Sequence, residues 1–354
     1  MNIRMAVTSD QAAWDKYVDG HIDATPYHRF AWLLSIEQAY QHQNVSLLAF
    51  NDDTLVGILP CIKMQRPFSK VSYCALPFCD LGFGLANDAS VLEALQSEAL
   101  TQLASAGGNS FDYRDSVNAS SDDELAGKKV RMVLPLPESS EALMAGFKSK
   151  LRSQIRKAEK NGLTYLIASE QKQIDDFYQI FAINMRKLGS PVHSKKWFEC
   201  LFNHYAQHVI LSVVYSDNIP VGAGIVLRTA NKVAIPWAST VAEYNKLSPN
   251  MMLYWSLLEH VSDRGCEEFD FGRSTYDEGT YRFKRQWGAE PVPLAWSNLV
   301  PSQTTIAEII TGSDNGSGDS KVNQIRTLVE KAWSRLPLGV TTTIGPKIRK
   351  HISL

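Results

Sequence analysis

The chain has 354 residues, 44% hydrophobic and 21% charged, which fits a globular protein of about two domains and excludes global disorder and fibrous repeats. Lys plus Arg number 36 against 37 Asp plus Glu, a formal net charge of −1 that argues against a nucleic-acid coat while leaving room for a local basic site. No run approaches the roughly 18 apolar residues of a spanning helix, MNIRMAVTSD has no apolar signal core, and the five cysteines form no CxxC pair. The expectation is a reduced, cytoplasmic protein without disulfides or a zinc knuckle.

In chain order, the first signal is LLAF running into FNDDTLVGILPCI, Phe50 to Ile62, with the polar turn Asn51-Asp52-Asp53 and then Val56-Gly57. Turn residues between two β-rich runs predict a hairpin. A Gly-punctuated loop follows, Leu76 to Gly84, carrying one carboxylate, Asp80. Leu92, Leu95, Ala99, Leu100 and Leu103 recur at helical spacing, and Gly107 ends that helix before Phe111-Asp112-Tyr113. Beyond the polar Ser116 to Glu124, a strand from Val130 to Leu134 meets Pro135 and Pro137, which delay any helix until Ser139 or Ser140 can cap it. The domain joint is placed here, giving units 1–134 and 135–300 and a trailing 301–354.

Phe147 to Gly162 reads FKSKLRSQIRKAEKNG. Phe147, Leu151, Ile155 and Ala158 form a buried stripe at helical spacing, and Lys148, Arg152, Arg156 and Lys160 form a cationic stripe beside it, widened by Lys150 and Lys157. Such a concentration of cations predicts a phosphate-holding surface; the ordinary alternative is a solvated helix face. Further on, His204 and His208 stand four apart, but no third ligand or HExxH glutamate accompanies them, so a polar helix face is the better reading.

The second half then repeats the first. SVVY runs into YSDNIPVGAGIV, Tyr215 to Val226, at an offset of 165 (Val221 against Val56). Met252, Trp255, Leu258 and Val261 mark a helix, followed by Gly265 and Phe269-Asp270-Phe271, at an offset of 158 (Phe269 against Phe111). Two ordered matches at nearly one offset predict a duplicated unit of mixed α/β layers. Ahead of the second helix, Ser248 is an expected N-cap and Pro249 its first residue, with no glycine to admit a pyrophosphate as conventional CoA binding requires.

A strand from Glu268 to Phe271 is expected to end at Gly272, followed by a loop with Arg273, Ser274, Thr275, Tyr276, Asp277 and Glu278, and then Tyr281 to Trp287. Arg273, Arg282, Lys284 and Arg285 suit the stabilisation of developing negative charge; Asp277, Glu278, Tyr276 and Tyr281 suit proton transfer. Past residue 300, Gly312 to Ser320 is a linker by composition, Val322 to Trp333 a helix, and the tail carries Lys347, Arg349, Lys350 and His351.

FKSKLRSQIRKAEKNGL and FDFGRSTYDEGTYRFKRQWGAEP together resemble the FemAB family within the GNAT acyltransferase superfamily. They are similar to the branch found beside polysaccharide-export and protein-sorting systems in Gram-negative bacteria, and the tail RLPLGVTTTIGPKIRKHI shares its character. The resemblance spans residues 1 to 300 in organisation. It implies an α/β fold of two tandem GNAT-like domains, each a mixed, mostly antiparallel sheet flanked by helices, in agreement with the internal repeat. It also implies amide formation: an amine of a peptidoglycan or exopolysaccharide precursor attacks an activated acyl group, which in FemAB members is an aminoacyl-tRNA ester.

On that basis Lys284 and Arg273 are the expected electrostatic stabilisers, and Tyr281 and Asp277 the proton-transfer groups. Lys150, Arg152, Arg156, Lys157, Asp80, Trp237 and Ser274 are the expected substrate contacts, with no metal. No resident cofactor is expected; aminoacyl-tRNA or acyl-CoA serves as co-substrate. The partners are a small-molecule or lipid-linked phosphate-bearing precursor and aminoacyl-tRNA, with peripheral contact at the inner membrane and no DNA. The family's long helical arm has no counterpart here. The competing readings are a CoA-dependent N-acyltransferase and a non-catalytic adaptor that binds a polysaccharide-lipid intermediate or synthase, its basic helix and tail on anionic lipid.

Overall fold

The computed structural model describes residues 1–66, 69–117, 122–168, 170–301, 309–311 and 320–354. Its first half comprises β1 (Asn2–Met5), α1 (Gln11–Gly20), α2 (Phe30–Tyr40), β2 (Gln43–Asn44), β3 (Leu47–Asn51), β4 (Thr54–Leu59), β5 (Ile62–Met64) and β6 (Ser72–Cys74). It continues with β7 (Leu85–Ala86), α3 (Ala89–Ser105), β8 (Ser110–Ser116) and β9 (Lys129–Pro135). The second half begins with α4 (Ser140–Gly146), α5 (Ser149–Lys160), β10 (Leu163–Ile167), α6 (Gln171–Lys187), α7 (Lys195–Tyr205), β11 (Val209–Ser216) and β12 (Ile219–Thr229). There follow β13 (Lys232–Thr240), α8 (Pro249–Ser262), β14 (Glu268–Thr275), α9 (Gly279–Arg285), β15 (Glu290–Leu299), β16 (Ile309–Thr311), α10 (Ser320–Ser334) and α11 (Leu338–Arg349).

The repeat seen in the sequence is a repeat of hydrogen-bond register. In the first hairpin Ala49 faces Gly57 and Phe50 faces Leu55, so Val56 is skipped; in the second, Val214 faces Gly222 and Tyr215 faces Pro220, so Val221 is skipped. Each half thus carries a β-bulge at the equivalent residue. Each hairpin also turns through left-handed backbone, at Asp52 and at Asp217-Asn218, residue types that tolerate it. Gly107 and Gly265, both at φ 70°, end the paired helices α3 and α8. Each half then adds a parallel strand: Ser72–Cys74 against Ser110–Asp112, and Lys232–Ala234 against Glu268–Asp270. These are two tandem GNAT-like domains of mixed, mostly antiparallel sheet.

Among the described residues the strands form a small sheet, β1-β3-β4-β7, and a twelve-stranded sheet that crosses both halves. The crossing is made by β15, which pairs with β8 on one side and β9 on the other, while β9 pairs with β14. One apolar core is likewise shared, reaching from Trp14, Trp32 and Phe111 to Phe177, Trp197 and Trp237; a second lies between the sheet and α4, α5, α8 and α9. Buried Arg29 adds a polar clamp, donating to both Asp19 oxygens at 2.6 and 2.8 Å and to the Arg228 carbonyl of β12 at 3.2 Å.

Several local expectations are corrected. Phe147 stands before the basic helix in extended backbone rather than on its stripe, though it is buried between Trp255 and Trp287. Ser248 is left-handed (φ 65°) and its hydroxyl makes no capping bond, although Pro249 does open α8. β14 does not stop at Gly272 but bulges there and runs on to Thr275. The tail is not a free basic arm. The Ser353 carbonyl accepts from Phe78 N (2.6 Å) and from Arg114 Nη1 (3.2 Å), and half-buried Arg349 lies over the Phe78 ring, its pKa lowered to about 10 by desolvation. The linker expected at 312–320 lies, up to residue 319, outside the described residues.

Candidate active site

Both β13 and β14 continue past their short parallel pairing, but apart. Beyond Ala234 and Asp270, β13 stays with β12 up to Thr240, while β14 shifts register at Asp270/Arg273 and follows β9. The shift is made by Gly272, at φ 72°. Comparison of the halves shows its origin: FDY-RDS in the first corresponds to FDFGRST in the second, with Gly272 as the extra residue. The result is a splay at which the carbonyls of Gly272 and Arg273 accept from a side chain.

Lys284 fills that role as donor. It projects from α9, is buried, and its Nζ donates to the Gly272 carbonyl (2.9 Å) and the Arg273 carbonyl (2.7 Å). Burial pushes its pKa down to about 8, against the pull of Asp80 and Asp270. Asp80 comes from the first half. Its carboxylate accepts from the Arg273 amide (3.3 Å) and pairs with the Arg273 guanidinium (3.4 Å). Trp296 holds this corner: its indole N–H donates to the Asp80 carbonyl (3.1 Å), and Arg273 lies over its ring at 5.1 Å. Asp270 is buried, accepts from the Gly272 amide (2.8 Å) and pairs with Arg131; burial outweighs these partners and raises its pKa.

The equivalent place in the first half is closed. Arg114 exchanges two backbone hydrogen bonds with Gly82 (2.7 and 2.8 Å), and its guanidinium donates to the carbonyls of Cys79 and Ser353. Loop and tail fill the position that is open in the second half. The site is therefore asymmetric although the fold is duplicated.

The basic helix does not present one cationic face. Lys148 and Lys150 line a cavity of about 570 Å³ with Tyr276, Tyr281, Arg282 and Arg285, facing the distal cluster. Arg152 and Arg156 line a different groove, beside Met144, Trp255 and Glu259. Lys157 is exposed and lines neither. Of the other expected residues, Asp277 is a surface group paired with Arg282 (3.1 Å), Tyr281 is buried against Tyr276, and Trp237 sits in the aromatic core 5.0 Å from Phe198. Ser274 is buried on β14, its hydroxyl without a hydrogen-bond partner. His204 shares its ring nitrogen with Gln38 (2.7 Å), and no group of metal-binding side chains occurs among the described residues.

Asp270, Arg131 and Trp296 were not singled out from sequence. A carboxylate between two phenylalanines was the available signal for Asp270. A second cavity, about 620 Å³, lies between the halves and is lined by Phe83, Asp115, Arg131, Lys232, Glu268 and Asp270. Asp270 thus faces that cavity and also influences Lys284.

Residues 145–285 match the family model for the acetyltransferase (GNAT) domain, and this segment contains the splay, Lys284 and the basic helix. No curated protein matches the chain. The fold is similar to that of FemX, at 13% identity and a TM-score of 0.64, over 83% of this chain and 95% of that one. It is also similar to the C-terminal domain of a protein described as a lysylphosphatidylglycerol synthetase from Agrobacterium fabrum, at 13% identity and 0.52, over 90% and 96%. L-PGS from Bacillus licheniformis gives 9% identity and 0.52, over 94% and 99%. The match to the GNAT domain model thus falls within the second half, while the fold similarity extends over both halves.

Proposed function

We propose that the chain transfers an acyl or aminoacyl group to an amine of a cell-envelope precursor, by direct attack while donor and acceptor are both bound. The observation that carries this is Lys284, a buried ammonium held on two backbone carbonyls where β13 and β14 part. Two of its N–H groups are committed and a third serves the oxyanion that forms as the amine adds to the acyl carbonyl; its collapse breaks the acyl C–O or C–S bond and releases the donor as the tRNA hydroxyl or CoA thiol. Asp80, beside Arg273 and within the influence of Lys284, suits the proton released by the amine better than Asp277, which Arg282 occupies at the surface.

Lys148, Lys150, Arg282 and Arg285 supply the phosphate-binding side of the donor site. The acceptor enters the cavity between the halves, whose carboxylates Asp115, Glu268 and Asp270 suit an amine. FemX and the lysylphosphatidylglycerol synthetase among the fold neighbours support an envelope acceptor, and the resemblance to the exopolysaccharide-associated branch narrows it to a polymer precursor. The glycine-free start of α8, with Ser248 left-handed, favours a donor seated on the α5–α9 cavity, such as aminoacyl-tRNA, over acyl-CoA. The test is to incubate the purified protein with an amine-bearing envelope precursor and either aminoacyl-tRNA or acyl-CoA, reading the product by mass spectrometry. Amide formation from either donor, abolished in Lys284→Met, supports the reading; no amide from both donors contradicts it.

A further inference from the structure

The last helix is amphipathic in the unexpected direction. On α11 the small and polar Gly345 and Thr341 face the body of the protein, with Gly345 so close to Val192 that a Cβ would lie 2.9 Å from its amide nitrogen. The aliphatic residues Val340, Ile344 and Ile348, spaced by four, face outward at 37%, 43% and 41% exposure. On α10, Leu328 and Val329 are exposed at 65% and 59%. Both helices abut the same segment, since Gly189 touches Glu330 of α10. Among the described residues nothing covers these side chains.

The charge around them is predominantly positive: beside Leu328 and Val329, Glu330 is paired with Arg326 (3.0 Å). Residues 331–354 contain Lys331, Arg335, Lys347, Arg349 and Lys350 and no Asp or Glu, in a chain whose net charge is −1. Arg349 lies over the Phe78 ring, whereas Lys331, Arg335 and Lys347 are exposed and Lys350 is half-buried; Lys347 neighbours Ile344 and Ile348 on α11. We infer that α10 and α11 form a membrane-contacting surface that seats the protein on an anionic bilayer. Aliphatic side chains enter the headgroup boundary while flanking lysines meet lipid phosphates. A second copy is the poorer occupant, because pairing two such faces sets like charges against each other. The inference is independent of the acyl-transfer reading.

The test is co-sedimentation of the full chain with vesicles of phosphatidylcholine alone or mixed with phosphatidylglycerol. The protein should pellet with the mixed vesicles only, and added salt should release it. Ile344→Asp/Ile348→Asp and, separately, Lys347→Glu/Lys350→Glu should each weaken pelleting roughly tenfold while the thermal unfolding midpoint stays near that of the wild type. The inference is overturned if the wild type fails to pellet with anionic vesicles, or if the Ile344/Ile348 variant, still folded, pellets like the wild type. Loss of binding in Lys148→Glu/Lys150→Glu but not in the α11 variants also overturns it, as does light scattering that shows a dimer broken by the α11 variant.

Discussion

Lys284 combines two properties that rarely coexist on a surface lysine: burial and a pair of carbonyl acceptors. Its pKa of about 8 fixes the sign of a pH effect. If the ammonium stabilises the oxyanion, the transfer rate falls as pH rises through about 8, and a pH–rate profile with no loss above that value contradicts the role. Stability moves the other way. Between about 8 and the ordinary lysine value of 10.5 the unfolded chain holds more protons than the folded one, so this residue's contribution to stability rises with pH there. Denaturant titrations across that window should show the rise in the wild type and its absence in Lys284→Met. Trp296 is the neighbouring positioning residue; Trp296→Phe removes its bond to the Asp80 carbonyl and should lower the rate with the substrate KM little changed.

At the scale of elements, the duplicated register makes unequal predictions for equivalent glycines. A Cβ on Gly57 would stand 2.7 Å from Val91 and 3.0 Å from Leu95 of α3, whereas on Gly222 its nearest neighbour is Thr240 at 3.3 Å. Gly57→Ala should therefore cost about 1–3 kcal/mol by overpacking, and Gly222→Ala less, as read by chemical denaturation. Deletion of Gly272 would restore the first half's spacing to β14, and transfer should be lost in a protein that still unfolds cooperatively.

Much of this was legible in the sequence because local patterns determine hairpins and amphipathic helices: the offsets of 165 and 158 mark residues with matching bulges and matching parallel pairs. Lys284, Arg273 and Asp80 were also named from sequence, and they meet. What sequence did not show depended on long-range geometry. The split of the cationic stripe follows from which neighbours flank each turn of α5, and Trp237 is taken by an aromatic core whose members come from two other segments, α2 and α7. The tail's course is of the same kind, since Ser353 finds Arg114 across 239 residues.

At the scale of the molecule, two copies of one unit have become one body in which the equivalent corners differ. The shared core, the β8-β15-β9 junction and the Arg29 clamp hold the halves so that Asp80 of one reaches Arg273 of the other. Arg29→Ala removes the clamp, but Asp19 is part-exposed and keeps donors from Thr229 and Ala230, so the cost by denaturant titration should be about 1–3 kcal/mol. No helix among the described residues is long and apolar enough to cross a membrane. The most direct measurement of the central claim is single-turnover amide formation with saturating donor and acceptor, in the wild type and in Lys284→Met. Loss of the ammonium should lower the rate roughly 10²–10³-fold with both substrates still bound; an unchanged single-turnover rate would contradict the role of Lys284 in transfer.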